Sequence, residues 1–246
     1  MSDFMNACFT QRMGSRTKEA DALRFVNSLN HAVHCPHFID AVLTDANKSY
    51  LVSTWIHGDV ASEVWESLSS QDKAHLVGDL RDQFRRLRLQ TSGPHLICNA
   101  SNGPVEDPRI PWFADTNPQT LATPQEFSMV VWHGLNFKRN QALKAFMMPL
   151  IDNSDVPVTF CHGDLLPRNL IFPGGLDHWR KGRSRIGIID WEYAGWMPRY
   201  WDPLKATWIS EREDEWFQIA RLIFPEDVAY LDIDWEWRSR SGVQLV

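Results

Sequence analysis

Two carboxylates and an amide stand between residues 160 and 193, and their types and spacing suit one kind of chemistry. Asp164 precedes Asn169 by five positions, and Asp190 ends the apolar run I-G-I-I. In phosphoryl transfer one carboxylate orients the attacking hydroxyl, while an amide and a second carboxylate hold magnesium on the phosphates. The three residues therefore predict a phosphoryl-transfer site that uses Mg²⁺. The alternative is structural, with Asp164 capping a helix and Asp190 lying in a turn.

Short apolar segments flank these residues and have to position them. V-T-F-C at 158–161 leads towards Asp164, while L-I-F at 170–172 and I-G-I-I at 186–189 are predicted strands around a polar turn. A carboxylate just beyond a buried strand is held rigidly and still faces a cleft, as a metal ligand must. Asp164 and Asp190 would repel each other if brought together, so a divalent cation between them is expected.

Hydrophobic spacing and capping residues predict the other elements. Ser69 and Asp72 form the start of a capping box ahead of a helix, and Thr123 and Glu126 form another. A long loop is predicted between these two helices. The ranges are a helix at 17–30, a strand pair at 38–44 and 49–56 joined by the turn D-A-N-K, a loop at 91–125, and helices at about 140–151, 200–222 and 226–238.

Composition narrows the functional classes. The net charge of −6 gives no sign of the clustered Lys and Arg that nucleic-acid binding needs. Four widely spaced cysteines without a C-x-x-C pair predict free thiols in a reducing compartment. No apolar run approaches the roughly 18 residues of a membrane span. The N-terminus lacks the positively charged start and apolar stretch of a signal peptide. We therefore expect a cytoplasmic protein without a membrane or nucleic-acid partner.

The segments F-C-H-G-D-L-L-P-R-N-L-I and I-G-I-I-D-W-E-Y-A-G-W resemble the catalytic core of the aminoglycoside phosphotransferase-like family. This family is related to choline kinases and to protein kinases. The resemblance is greatest to fungal members, which continue with W-E-x-A-G-W and a nearby Tyr-Trp pair, and it runs from about Lys18 to Trp208. It implies an α+β, protein kinase-like two-lobe fold with a reduced N-terminal lobe (1–57) and a mostly helical C-terminal lobe (58–246).

The resemblance also implies roles for individual residues. Asp164 corresponds to the catalytic base, His162 to the residue that braces the catalytic loop, and Asn169 and Asp190 to the magnesium ligands. In the small lobe Glu19 corresponds to the glutamate that pairs with a lysine. The backbone of Ser53, Thr54 and Trp55 corresponds to the hinge that contacts adenine.

The implied activity is ATP-dependent phosphorylation of a hydroxyl on a small molecule. Gly163 stands where protein kinases have an arginine, and the segment after Asp190 has little room for an activation loop, so a protein kinase is disfavoured. Ahead of the helix with the glutamate, the family has a Gly-rich loop and a strand that carries a lysine. Only eighteen residues precede Glu19 in this sequence. We therefore expect the N-terminal lobe to consist of two strands and a helix. One alternative is a catalytically impaired pseudokinase or a gene fragment that serves as a binding or regulatory domain. Another is that a partner protein restores the activity.

Overall fold

The computed structural model describes residues 7–13, 18–43, 48–110 and 119–241, and of residues 7–13 the backbone alone. The chain divides into two compact units. Unit 1 contains residues 1–90 and 164–194, and unit 2 contains residues 91–163 and 195–246. Two predicted segments fall partly outside the described residues. They are the turn D-A-N-K at 45–48 and the loop at 91–125.

Unit 1 begins with a three-stranded antiparallel sheet in the order β1-β3-β2. The strands are β1 (Ala7–Met13), β2 (Phe38–Leu43) and β3 (Lys48–Thr54), and helix α1 (Lys18–Ser28) lies between β1 and β2 in the chain. Helix α1 is amphipathic and buries Ala20, Ala22, Leu23 and Val26. The sequence predicted β2 and β3 and missed β1, which pairs with β3 along its whole length.

A second sheet of unit 1 carries the segment around Asn169 and Asp190. Its order is β4-β7-β8, with β4 (Gly58–Val60), β7 (Leu170–Pro173) and β8 (Gly187–Ile188) all antiparallel. The strands β7 and β8 confirm the predicted pair around a polar turn. The helices of this part are α2 (Ala61–Val64), α6 (Leu176–Arg180) and the long α3 (Ser70–Thr91), whose last residue is assigned to unit 2.

The α3 helix starts as its sequence predicts. Ser69 Oγ accepts from the Asp72 amide at 3.1 Å, and Asp72 Oδ2 accepts from the Ser69 amide at 2.9 Å. This reciprocal pair is a capping box, which satisfies amide groups that the first turn of a helix leaves without partners.

Unit 2 combines one small sheet with most of the remaining helices. The sheet has the order β5-β9-β6, made of β5 (Cys98–Asn99), β9 (Gly195–Pro198) and β6 (Val158–Cys161). The helices are α4 (Pro124–Val131), α5 (Gln141–Ile151), α7 (Trp201–Ala206), α8 (Glu215–Ile223) and α9 (Val228–Arg240). Thr123 caps α4 through the predicted box, whereas the predicted helix at 200–222 is divided into α7 and α8.

Large aromatic side chains fill the cores of both units. Trp132, Trp201 and Trp237 are fully buried in unit 2, as are Trp179 and Trp191 in unit 1. The high tryptophan count of the sequence therefore serves packing at these positions. In the part of the chain that the structure describes, no helix combines the length and apolarity needed to cross a bilayer.

Candidate active site

The loop between β6 and β7 holds the first carboxylate of the motif. Asp164 is 7% exposed, and Asn169 lies at the end of a single 3-10 turn, Pro167–Asn169. The Asn169 side-chain Nδ2 donates to both the backbone oxygen and Oδ2 of Asp164, each at 2.8 Å. The five-residue spacing therefore closes a small loop, in which the amide fixes the carboxylate that the sequence singled out.

Arg168 provides a charged partner for the same carboxylate. Its Nη2 donates to Asp164 Oδ2 at 2.8 Å, and its side chain is about half exposed. An exposed guanidinium of this kind can move away at little cost, because partly solvated ion pairs contribute only about 0–1 kcal/mol. Asn169 is thus a fixed partner of Asp164, and Arg168 is a displaceable one.

Backbone pairing brings Asp190 next to this loop. Leu170 of β7 pairs with Ile188 of β8, and the Ile189 amide donates to the Asn169 carbonyl at 3.0 Å. Asp190, the following residue, has φ of +62°, a left-handed conformation that only Gly, Asn and Asp adopt at modest cost. The backbone therefore turns sharply at Asp190, one residue beyond a direct bond to Asn169.

Trp191 secures the end of β8. Its ring is fully buried, and its Nε1 donates to the Ile188 carbonyl at 2.9 Å. This anchor lies on the residue after Asp190, so packing of the indole restrains the turn in which the carboxylate stands.

The three motif residues suit a divalent cation by their donor chemistry. The Asn169 amide nitrogen is used by Asp164, which leaves its oxygen Oδ1 without a recorded bond in the described part of the chain. Carboxylate and amide oxygens are the ligands that Mg²⁺ prefers. No cluster of three or more His, Cys, Asp or Glu of the metal-binding type occurs among the described residues, so a cation here would depend on two carboxylates, an amide and the phosphates of its partner.

His162 and Gly163 belong to unit 2 and precede Asp164 in the chain. His162 is fully buried, and Gly163 has φ of +79°, a conformation that favours glycine. The amides of both residues donate to Asp202 Oδ1, at 2.9 and 3.0 Å. Asp202 was missed by the sequence analysis, although it directly follows the Tyr200-Trp201 pair that carried part of the resemblance.

The predicted nucleotide contacts lie in the first sheet of unit 1. Ser53 and Thr54 end the central strand β3, and Trp55 follows it with about half of its side chain exposed. The Thr54 amide donates to the His37 carbonyl at 2.9 Å, and Thr54 Oγ1 accepts from the His37 amide at 2.8 Å. Because the Thr54 amide is used in this way and Ser53 pairs with Cys8 and Phe38 of the neighbouring strands, Trp55 is the better candidate for a hinge contact, and all three assignments stay predictions.

Glu19 lies in the first turn of α1 and is half-buried. The strand ahead of it, β1, has the sequence A-C-F-T-Q-R-M and contains no lysine. Because β1 offers no lysine, the assignment of Glu19 to a phosphate-gripping pair stays a prediction.

Comparison with known proteins agrees with this fold. The chain belongs to the phosphotransferase enzyme family (APH), whose sequence profile matches residues 10–238. It is similar to a probable ethanolamine kinase B of Dictyostelium discoideum, with 28% identity over 122 residues. That match covers 48% of this chain and 23% of the relative, so the chain spans about a quarter of the length of the curated relative that it matches.

Solved structures share the fold at low sequence identity. The streptomycin–ATP–APH(2″)-IIa ternary complex matches 93% of this chain and 74% of its own, with a TM-score of 0.53 and 13% identity. The apo form of a thermostable mutant of aminoglycoside phosphotransferase APH(4)-Ia matches 96% and 85%, with a TM-score of 0.50 and 12% identity. The predicted mixed helix-and-sheet, kinase-like fold is thus confirmed. The predicted lobe boundary between residues 57 and 58 stays a prediction.

Proposed function

We propose that this chain transfers a phosphoryl group from ATP to a hydroxyl group of a small molecule. The observation that supports this most directly is the closed arrangement of Asp164, Asn169 and the turn at Asp190 within unit 1. Asp164 would orient the acceptor hydroxyl and accept its proton, once Arg168 has moved from the carboxylate. Positioning and electrostatics supply most of the catalysis in this chemistry, and these residues offer both.

Asn169 and Asp190 would hold the magnesium ion. When bound, this ion would offset the negative charge of the phosphates. Asn169 would have a double task, since its Nδ2 fixes Asp164 while its Oδ1 is left for the cation. The role of His162 would be indirect, through the buried backbone that it shares with Gly163 ahead of Asp164.

The acceptor class rests on the relatives. Membership of the phosphotransferase enzyme family and the names of similar proteins point to amino alcohols and aminoglycosides as the first compounds to test. Ethanolamine follows from the curated relative, and streptomycin from one of the structures with the same fold. We propose that a cytoplasmic location accompanies this activity, as the cysteine usage suggests.

A second candidate is a nucleotide-binding domain that does not catalyse transfer. It is favoured by the sequence of β1, the strand ahead of α1, which contains no lysine. Loss of one charge-assisted contact to the phosphates can lower a rate by about 10² to 10³. Both candidates share the cation site, so nucleotide binding and turnover have to be measured separately.

The first test is thermal unfolding with and without Mg-ATP. At about 100 times its dissociation constant a ligand stabilises its protein by roughly 2.7 kcal/mol, which is about 5 to 11 °C for a chain of this size. We expect that shift for the unmutated chain and for Asp164→Ala, and its loss in Asp190→Ala. The matched control is Asp177→Ala, because the Asp177 side chain is 89% exposed and lies outside the motif.

Turnover is then measured as ADP release with ethanolamine, streptomycin and related hydroxyl compounds. Transfer by the unmutated chain that is lost in Asp164→Ala supports the phosphotransferase. A melting shift without transfer to any acceptor supports the binding domain. Absence of the shift in the unmutated chain would reject nucleotide binding and both candidates with it.

A further inference from the structure

A basic turn between α6 and β8 carries one serine outside the motif. Ser184 lies in neither a helix nor a strand and is half-buried. Its Oγ donates to the Pro173 carbonyl at 3.2 Å, which leaves the oxygen lone pairs of the hydroxyl for reaction. The turn lies just ahead of β8, and Ser184 stands six residues before Asp190, so the turn belongs to the segment that leads to the second carboxylate.

The residues around Ser184 are strongly cationic in a chain of net charge −6. The sequence from 180 to 185 is R-K-G-R-S-R, with cations four, three and one positions before the serine and one position after it. Lys181 and Arg183 are exposed and form no ion pair within the described residues. A cationic, irregular and accessible segment is what an acidic substrate cleft recognises by charge complementarity.

Ser184 also lines an open groove of about 620 Å³ beside α3. Gly78 and Gly182 form part of its wall, and a Cβ atom added at either glycine would meet nothing within 4 Å. The groove therefore has room for a group much larger than the hydroxyl that faces it.

The charges that face this groove favour an added anion. Arg86, Arg183 and Arg185 line it together with Asp79 and Asp82. Both carboxylates already have partners: Asp79 accepts from the Ile186 amide at 2.6 Å, and Asp82 pairs with Arg86 at 2.8 Å. Arg185 is within 4 Å of both carboxylates. The guanidinium groups that line the groove exceed the carboxylates by one, and among the residues that the structure describes Arg183 pairs with no carboxylate.

We propose that Ser184 is a phosphorylation site for a serine kinase that selects basic residues. Ser184 Oγ attacks the γ-phosphorus of that kinase's ATP, the new O–P bond forms, the bond to ADP breaks, and the hydroxyl proton passes to the kinase's base. The product carries about −1.5 to −2 charges at pH 7. Its oxygens enter the groove that Arg183 and Arg86 line, and the hydrogen bond to Pro173 is lost. The proposal goes beyond the phosphotransfer proposed above and does not depend on it.

The experiment treats the folded chain with the catalytic fragment of a basophilic serine kinase and Mg-ATP, and maps phosphate by mass spectrometry. A synthetic peptide of residues 176–188 is treated in parallel. We expect close to one phosphate per chain at Ser184, none in Ser184→Ala, and slower uptake in Lys181→Ala. Ser154 is the internal control, since it is exposed but stands beside Asp155 and is expected to stay unmodified.

A second measurement tests whether the groove holds the phosphate. Release by a non-specific phosphatase should be about threefold faster from phosphorylated Arg86→Ala than from the phosphorylated parent, as expected for a partly solvated ion pair. Uptake by the peptide but not by the folded chain would overturn the proposal, because the fold would then block access. Equal release rates from parent and variant would overturn the assigned role of the groove.

Discussion

The buried carboxylate of Asp202 holds the backbone immediately ahead of Asp164. It accepts hydrogen bonds from two successive amides, His162 and Gly163, across 40 positions of sequence. It is 1% exposed, so water cannot replace it as an acceptor. Asp202 therefore acts through the loop and is a positioning residue.

Replacement of Asp202 by alanine should destabilise the chain substantially. Two buried amide groups would lose their acceptor, and each such loss costs about 1–3 kcal/mol. We expect at least roughly 2 kcal/mol in the free energy of unfolding, or about 4 °C or more in Tm. Asp202→Asn retains an oxygen at the same place and should lose less. An unchanged melting temperature for Asp202→Ala would contradict the assignment.

At the scale of elements, two glycines with opposite surroundings make a matched pair. A Cβ atom at Gly195 in β9 would lie 2.4 Å from the Cys98 carbonyl oxygen and 2.8 Å from Asn99 Cα. Gly78, in the middle of α3, has open space at the same position. Close approach of β5 and β9 thus requires glycine at 195, whereas α3 does not require it at 78.

Alanine substitutions at these two glycines should have opposite effects on stability. Gly195→Ala forces β5 and β9 apart at a backbone contact, and we expect a loss of about 1–3 kcal/mol. Gly78→Ala should stabilise α3 by about 0.5–1 kcal/mol, because glycine is the weaker helix former. Chemical denaturation of both variants measures the two changes, and a stabilising Gly195→Ala would show that the sheet edge is not tightly packed.

The first turn of α3 predicts a pH-dependent contribution to stability. The hydrogen bond from Arg180 holds the pKa of Asp72 well below its ordinary value of 3.8, assisted by Ser69. A carboxyl group with a lowered pKa in the folded chain stabilises it above the unfolded pKa, and this stabilisation is lost as the pH falls.

Asp72→Asn should therefore lower Tm by several degrees at pH 7 and by progressively less below about pH 4. Below that pH the unfolded parent chain takes up a proton on the Asp72 carboxylate, whereas the variant has no carboxylate at this position. Thermal scans of parent and variant from pH 7 to pH 3 test this, with Asp177→Asn as the exposed control. A difference in Tm that stays constant over this range would contradict the prediction.

The strand β1 shows why the small lobe was only partly predicted. Its sequence, A-C-F-T-Q-R-M, lacks both the alternation and the apolar run that mark a strand. It pairs with β3 from Ala7↔Thr54 to Met13↔Lys48, a partner more than thirty residues away. Its sequence contains one cation, Arg12, and no lysine.

At the scale of the whole molecule, the residues proposed to bind Mg-ATP all belong to unit 1. Glu19, Ser53 and Asp190 lie in three different segments of that unit. A ligand that contacts them should lower the frequency of local opening in unit 1, because binding to the folded form suppresses unfolding.

Hydrogen exchange should therefore show a regional effect of Mg-ATP. We expect slower exchange in α1, β3 and the 164–190 segment, by about 100-fold at 100 times the dissociation constant for amides that open only when the ligand leaves. The helices α5 and α9 of unit 2 serve as internal reference. Equal slowing in both units would contradict the assignment of the site, and Asp190→Ala should remove the slowing in unit 1.

The sequence by itself determined which residues form the motif and which elements depend on near neighbours. The spacing of Asp164 and Asn169, the caps at Ser69 and Thr123, and the strands on both sides of the 173–186 turn all depend on residues close together in the chain. Hydrogen bonds across three to five positions are available to the local sequence alone, and so they could be predicted.

The tertiary structure alone decided the contacts between distant segments. Nothing in the local sequence shows that Asp202 receives the amides ahead of Asp164, that β1 pairs with β3, or that Asp190 takes a left-handed backbone beside a buried Trp191. The first two of these require the loss of chain entropy over tens of residues, which only the burial of a shared core can offset. The third depends on the burial of the Trp191 ring, which is also a property of the packed core. The local pattern is compatible with many such pairings, and packing selects among them.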